Sequence, residues 1–164
     1  MTSLTSSWQR RKLLLLPAAA GLARAGSAWA TSLVLPIPTS LKEALERALR
    51  AGHPLTVMVS LEGCPFCRVV RDNYLRTLLQ ENVHAVVQVN MRSSRALLDF
   101  RGVATTHDEL VRTWNVQLAP TLMFIGPGGQ EAAARLVGAS LTDFYGAYLD
   151  DRVRIAQASL NTLR

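Results

Sequence analysis

Leu55-Thr56-Val57-Met58-Val59-Ser60-Leu61-Glu62-Gly63-Cys64-Pro65-Phe66-Cys67 is the stretch on which the reading of this 164-residue chain turns. Its first seven residues are an apolar run rich in strand formers, which suits a central strand buried on both faces. The run leads directly into two cysteines three residues apart. Pro65 suits the first position of a helix, and Val69, Val70, Leu75, Leu78 and Leu79 carry that helix to about Gln80. A pair of thiols thus sits where a strand becomes a helix.

These two cysteines are the only ones in the chain, so no disulfide can staple distant segments. A ring this small removes little chain entropy and stabilises little. Chemistry explains the pair better than stability does. Disulfide exchange needs a thiolate, an accessible sulfur and a second thiol to resolve the mixed disulfide. Cys64, at the helix start, can receive first-turn amides, including those of Phe66 and Cys67, and the helix dipole favours negative charge there. Cys67, one turn in, is expected to be the more buried, resolving thiol. Arg68 and Arg71 would favour the thiolate and Glu62 would oppose it, but the two arginines read as a solvated helix face.

Upstream, Ser40 and Glu43 make a capping box, followed by Leu41, Ala44, Leu45, Ala48 and Leu49 at helical spacing, with Gly52 as the stop. Downstream, Ala85 to Val89 is a second strand, and Asn90 to Thr105 is placed outside the central sheet. Thr106 and Glu109 cap a helix through Trp114. Pro120 precedes a strand from Thr121 to Ile125, Gly126-Pro127-Gly128-Gly129 is a turn, and Glu131 to Val137 is its hairpin partner. Ser140 with Asp143 begins a last helix carrying Phe144, Tyr148, Val153 and Leu160. The order α-β-α-β-α-β-β-α predicts an α/β fold, a mixed sheet with helices on both faces.

Residues 1–30 read as an export signal. Arg10-Arg11-Lys12 is its charged start, Leu13 to Ala23 its apolar stretch, and Ala28-Trp29-Ala30 a small-x-small cleavage pattern. The paired arginines also match a twin-arginine signal, with a general secretory signal or an uncleaved anchor as alternatives. Residues 31–39 are expected to form a lead-in and 40–164 the domain, and the export signal makes a periplasmic location the expectation. The signal holds four basic residues and no acid, so of the chain's 18 basic and 12 acidic residues, 14 basic remain against 12 acidic. That balance gives no basic footprint for nucleic acid.

With these residues assembled, residues from about Ser40 to Leu160 resemble the thioredoxin superfamily. The CxxC lies at a strand–helix junction, Val116-Gln117-Leu118-Ala119-Pro120-Thr121 resembles the family's cis-proline segment, and Gly138 falls where the family has a glycine. Within it, Glu62 to Cys67, the segment around Asp99-Phe100-Arg101-Gly102, and Ala119-Pro120-Thr121 are similar to bacterial periplasmic thioredoxin-like proteins of the SoxW type. The resemblance implies a cis peptide bond at Pro120, packed opposite the dithiol and exposing the Ala119 backbone to a substrate strand. The alternative is an ordinary trans proline opening an edge strand, and the CxxC context favours the cis reading. The resemblance also implies an exposed Phe66 as a docking residue, while Trp114 belongs to packing.

Three departures stand out. Gly63 replaces the tryptophan before the first cysteine, and Pro65-Phe66 replaces Gly-Pro. Met58 replaces a buried, proton-moving aspartate, which leaves only Glu62 as a partial substitute. The expected activity is protein thiol–disulfide exchange, with Cys64 attacking and Cys67 resolving, in the reducing direction. No cofactor beyond the Cys64–Cys67 disulfide is expected; the partners are protein thiols or disulfides and a membrane redox protein, and the protein is expected to be a monomer. The competing reading is a copper-binding protein that uses the same two cysteines as ligands. His53, His84 and His107 are each isolated in sequence and read as surface or cap residues. Arg68 rather than histidine follows Cys67, which disfavours covalent haem.

Overall fold

The computed structural model describes residues 34–80, 84–139 and 144–162. The export segment, the first residues of the lead-in and the Ser140–Asp143 helix start lie outside them. Helix α1 (Leu41–Arg50) leads to strand β1 (Leu55–Ser60), and α2 (Pro65–Val70) runs through a π-helical turn (Arg71–Leu75) into α3 (Arg76–Gln80). Then come β2 (Ala85–Asn90), β3 (Ala96–Leu98), β4 (Ala104–Thr106), α4 (His107–Thr113), β5 (Thr121–Ile125), β6 (Glu131–Val137) and α5 (Tyr145–Thr162). Among the described residues, no helix is long and apolar enough to cross a membrane.

The main sheet has the order β2-β1-β5-β6, with β1 parallel to β2 and antiparallel to β5, and β5 antiparallel to β6. It is the mixed sheet expected from the order of elements. The separate pair β3–β4 accounts for the stretch placed outside the sheet. Side-chain alternation along β1 builds two cores. Leu55, Val57 and Val59 face α1 and α4, joined by Leu45, Val89, Leu110 and Ile125. Met58, on the opposite face, packs with Val70, Leu75, Phe124 and Leu149 of the other helical layer. Helices therefore cover both faces, and β1 is buried along its whole length.

Caps fix the helix starts. At α4 the box is complete: Thr106 Oγ1 accepts from the Glu109 amide, and the Glu109 carboxylate accepts from the Thr106 amide. At α1 it is half formed. Ser40 Oγ accepts from Glu43 N at 3.2 Å, while the Glu43 carboxylate turns outward to Arg47. The lead-in is more integrated than its proline content suggests. Leu35 is buried in the second core, and the Pro36 carbonyl accepts from Gln88 N on the outer edge of β2.

Along the final helix Val153 and Leu160 are buried as expected, but its first two turns differ from the expected pattern. Tyr145, Leu149, Val153, Ala156 and Leu160 are buried, whereas Phe144 and Tyr148 face solvent. Phe144 and Tyr148 lie one residue from Tyr145 and Leu149 and both pairs are apolar, so packing against β5 and β6 decides between them.

Candidate active site

The antiparallel register of β1 and β5 sets Val59 opposite Thr121. It thereby brings the end of β1 and its cysteines beside the residues preceding β5, more than fifty positions later in sequence. Leaving β1, the chain turns with Gly63 at φ +73°, a left-handed conformation that a tryptophan would adopt only at a steric cost. Cys64 is then the N-cap residue of α2, in extended conformation. The Cys67 amide donates to Cys64 Sγ at 3.1 Å. Of the amides expected to point at this sulfur, that of Cys67 makes the recorded bond.

The two cysteines form a disulfide, with Cα atoms 5.3 Å apart. Cys64 is half-buried, whereas Cys67 is 1% exposed and belongs to the core beside Met58. A partner can therefore reach only one of the two sulfurs. Met58, fully buried in that core, places a thioether where the resemblance has a carboxylate, and Glu62 stands out in solvent.

Across from the dithiol, the Ala119–Pro120 peptide bond is cis. The Ala119 carbonyl oxygen lies 3.8 Å from Cys64 Sγ. Pro120 is buried and Ala119 half-buried. The Pro120 carbonyl accepts from Gly138 N at 2.8 Å, which anchors the loop to the end of β6. Phe66 is 58% exposed beside the cysteines. Trp114 stacks on Phe100 and packs against the first core.

Two expectations need correcting. Arg71 does not lie on a solvated face: it is half-buried, and its guanidinium donates to Ser60 Oγ at the end of β1. Arg68 is exposed as expected. His107 is no surface residue but is fully buried, since α4 packs its first turn against β2. Its Nδ1 accepts from Asn90 N at 3.0 Å, which assigns the ring proton to Nε2. Burial, with the Arg95 charge adding to it, holds this imidazole below its ordinary pKa.

His53 and His84, far apart in sequence, meet edge to face with ring centres 5.5 Å apart. Burial and then the neighbouring His53 lower the His84 pKa. Among the described residues, no group of three His, Cys, Asp or Glu side chains could hold a metal ion. The copper reading is left with the two sulfurs alone.

The sequence reading missed the wall of the site formed by Arg92 and Arg95. A groove of about 900 Å³ opens beside Cys64, and these residues line it together with Arg68 and Arg71. The signal was available in principle. Loops after neighbouring parallel strands gather at one end of a sheet, and Met91-Arg92-Ser93-Ser94-Arg95 directly follows β2.

Residues 41–152 match the thioredoxin-like domain family. Among solved structures, DsbH oxidoreductase is similar at 22% identity with a TM-score of 0.51, covering 77% of this chain and 88% of that one. A thioredoxin from Thermus thermophilus is 24% identical, with a TM-score of 0.48 and coverage of 74% and 86%. Thioredoxin O2 from Arabidopsis thaliana, in its oxidized state, is 18% identical, with a TM-score of 0.49 and coverage of 71% and 93%. No curated protein matches the sequence. With its mixed sheet, its two helical layers and its Cys64–Cys67 disulfide at the start of a helix, the chain belongs to the thioredoxin-like domain family.

Proposed function

We propose that the protein is a periplasmic thiol–disulfide oxidoreductase that reduces disulfides in other proteins. One observation carries the reading: Cys64 Sγ accepts the Cys67 amide at 3.1 Å and lies 3.8 Å from the carbonyl of Ala119. The amide and the helix start favour a thiolate at that sulfur. The Ala119 backbone offers a strand-like edge on which a substrate segment can dock, with Phe66 as an apolar contact.

In the reduced enzyme, the Cys64 thiolate attacks one sulfur of the substrate disulfide and expels the other as a thiolate. The resulting mixed disulfide joins Cys64 to the substrate. Cys67, deprotonated, then attacks Cys64 Sγ, closes the Cys64–Cys67 ring and releases the second substrate thiol. Two electrons have passed from the dithiol to the substrate, and a dithiol of a membrane redox partner restores the reduced state. Export of a monomeric domain by the signal in residues 1–30 would place it there.

Cys64→Ser should abolish disulfide reductase turnover, and Cys67→Ser should accumulate mixed disulfides with substrates, visible on non-reducing gels. Wild-type turnover in Cys64→Ser would overturn the reading. A reduction potential measured against glutathione tests the direction: a value among the strong oxidants would reverse it.

A further inference from the structure

The groove beside Cys64 has two walls. Arg68 and Arg71 line it from the helix that begins at the cysteines, and Arg92 and Arg95 from the loop after β2. Glu62 is the one acid in its lining. Among the described residues, none of these four arginines forms an ion pair with a carboxylate. The groove lining therefore carries a surplus of positive charge that no carboxylate ion pair offsets, with the Arg71 guanidinium bonded to Ser60 Oγ, itself a lining residue.

The loop that carries two of these charges is built rather than loose. Met91 N donates to the Ser60 carbonyl and Arg92 N to Asp108 Oδ1. The Ser93 and Arg95 carbonyls accept from the amides of Asp108 and His107. Arg92 is held at φ +59°, a conformation that a non-glycine residue keeps only where its surroundings impose it. Beneath it, the buried His107 ring fixes Asn90, another lining residue.

We propose that this groove selects substrates whose disulfide is flanked by acidic residues, and that the occupant is an acidic segment of a substrate polypeptide. The inference rests on the disulfide-exchange reading above and names the substrate class for that site. Continuity favours a polypeptide over a small anion. Cys64 borders both the groove and the Ala119 edge, so a chain paired at Ala119 crosses the reactive sulfur and continues between the arginine walls. Arginines supplied to one groove by two elements suit several carboxylates spaced along a chain, and the volume lies at the upper end for pockets that enclose one small molecule.

The test uses three synthetic cystine peptides, identical except that the residues around the disulfide are acidic, neutral or lysine. The readout is kcat/KM for their reduction by the dithiothreitol-recycled enzyme. The acidic peptide should exceed the neutral one by about tenfold, a modest gain for electrostatic steering, and the lysine peptide should be poorest. The acidic-to-neutral ratio should fall toward one in about 1 M salt, where the screening length is about 3 Å. It should fall likewise in Arg92→Asn/Arg95→Gln, because asparagine tolerates the left-handed backbone at position 92. Salt needs no variant to fold, so the two arms are independent. Equal rates for the three peptides, a preference indifferent to both salt and the arginine changes, or glutathione disulfide reduced as efficiently as the acidic peptide would each overturn the inference. Failure to reduce any peptide would instead sink the exchange reading itself.

Discussion

At the scale of single residues, the cysteines were plain in the sequence because their relation is local. Three positions of spacing at a helix start set both the ring and the amide that reaches Cys64 Sγ. Alkylation of the reduced protein should therefore show Cys64 reacting with a pH midpoint below the usual cysteine value of about 8.5, with Cys67 largely protected. His107 was misread because nothing beside a helix cap announces burial. Its depressed pKa has a consequence for stability. The folded protein keeps this ring neutral while the unfolded chain protonates it near 6.5, so the contribution is complete above that value and is lost as pH falls below it. The same sign applies to His84. The melting temperature should decline on acidification through this window. His107→Gln keeps an acceptor for the Asn90 amide and should flatten the decline to the His84 share.

At the scale of elements, capping residues and turn glycines carried most of what could be read. Thr106→Ala removes a complete capping box and should cost about 1 kcal/mol in denaturant unfolding. Gly128 and Gly129 both have positive φ, but only at Gly129 would a Cβ collide, 2.7 Å from Phe100 Cβ. Gly129→Ala should therefore destabilise by clearly more than Gly128→Ala, itself expected to cost about 1 kcal/mol of backbone strain. The difference isolates the Phe100 contact. The π-helical turn was not anticipated, yet the spacing carried a hint of it. Val70 and Leu75 are five residues apart and both fully buried. Five residues overshoot one α-helical turn, and the wider turn brings the two side chains onto one face.

At the scale of the whole molecule, the succession of strands and helices was enough to give the layers, since alternating elements with a terminal hairpin allow few arrangements. The arginine groove was not legible, because it depends on which loops the parallel pairing of β1 and β2 sets side by side. The core beneath the cysteines should be sensitive to volume: Phe124→Ala, at a fully buried position, should cost about 3–5 kcal/mol in equilibrium unfolding. The β1–β5 register has a last consequence for how the protein fails on heating. The two sulfurs are neighbours in any conformation, whereas Ala119 reaches them only while Val59 stays opposite Thr121. A melted chain would still close its ring with an oxidant but would have lost the place where a client lies down. Samples scored by free-thiol titration would then pass as sound after they had stopped working.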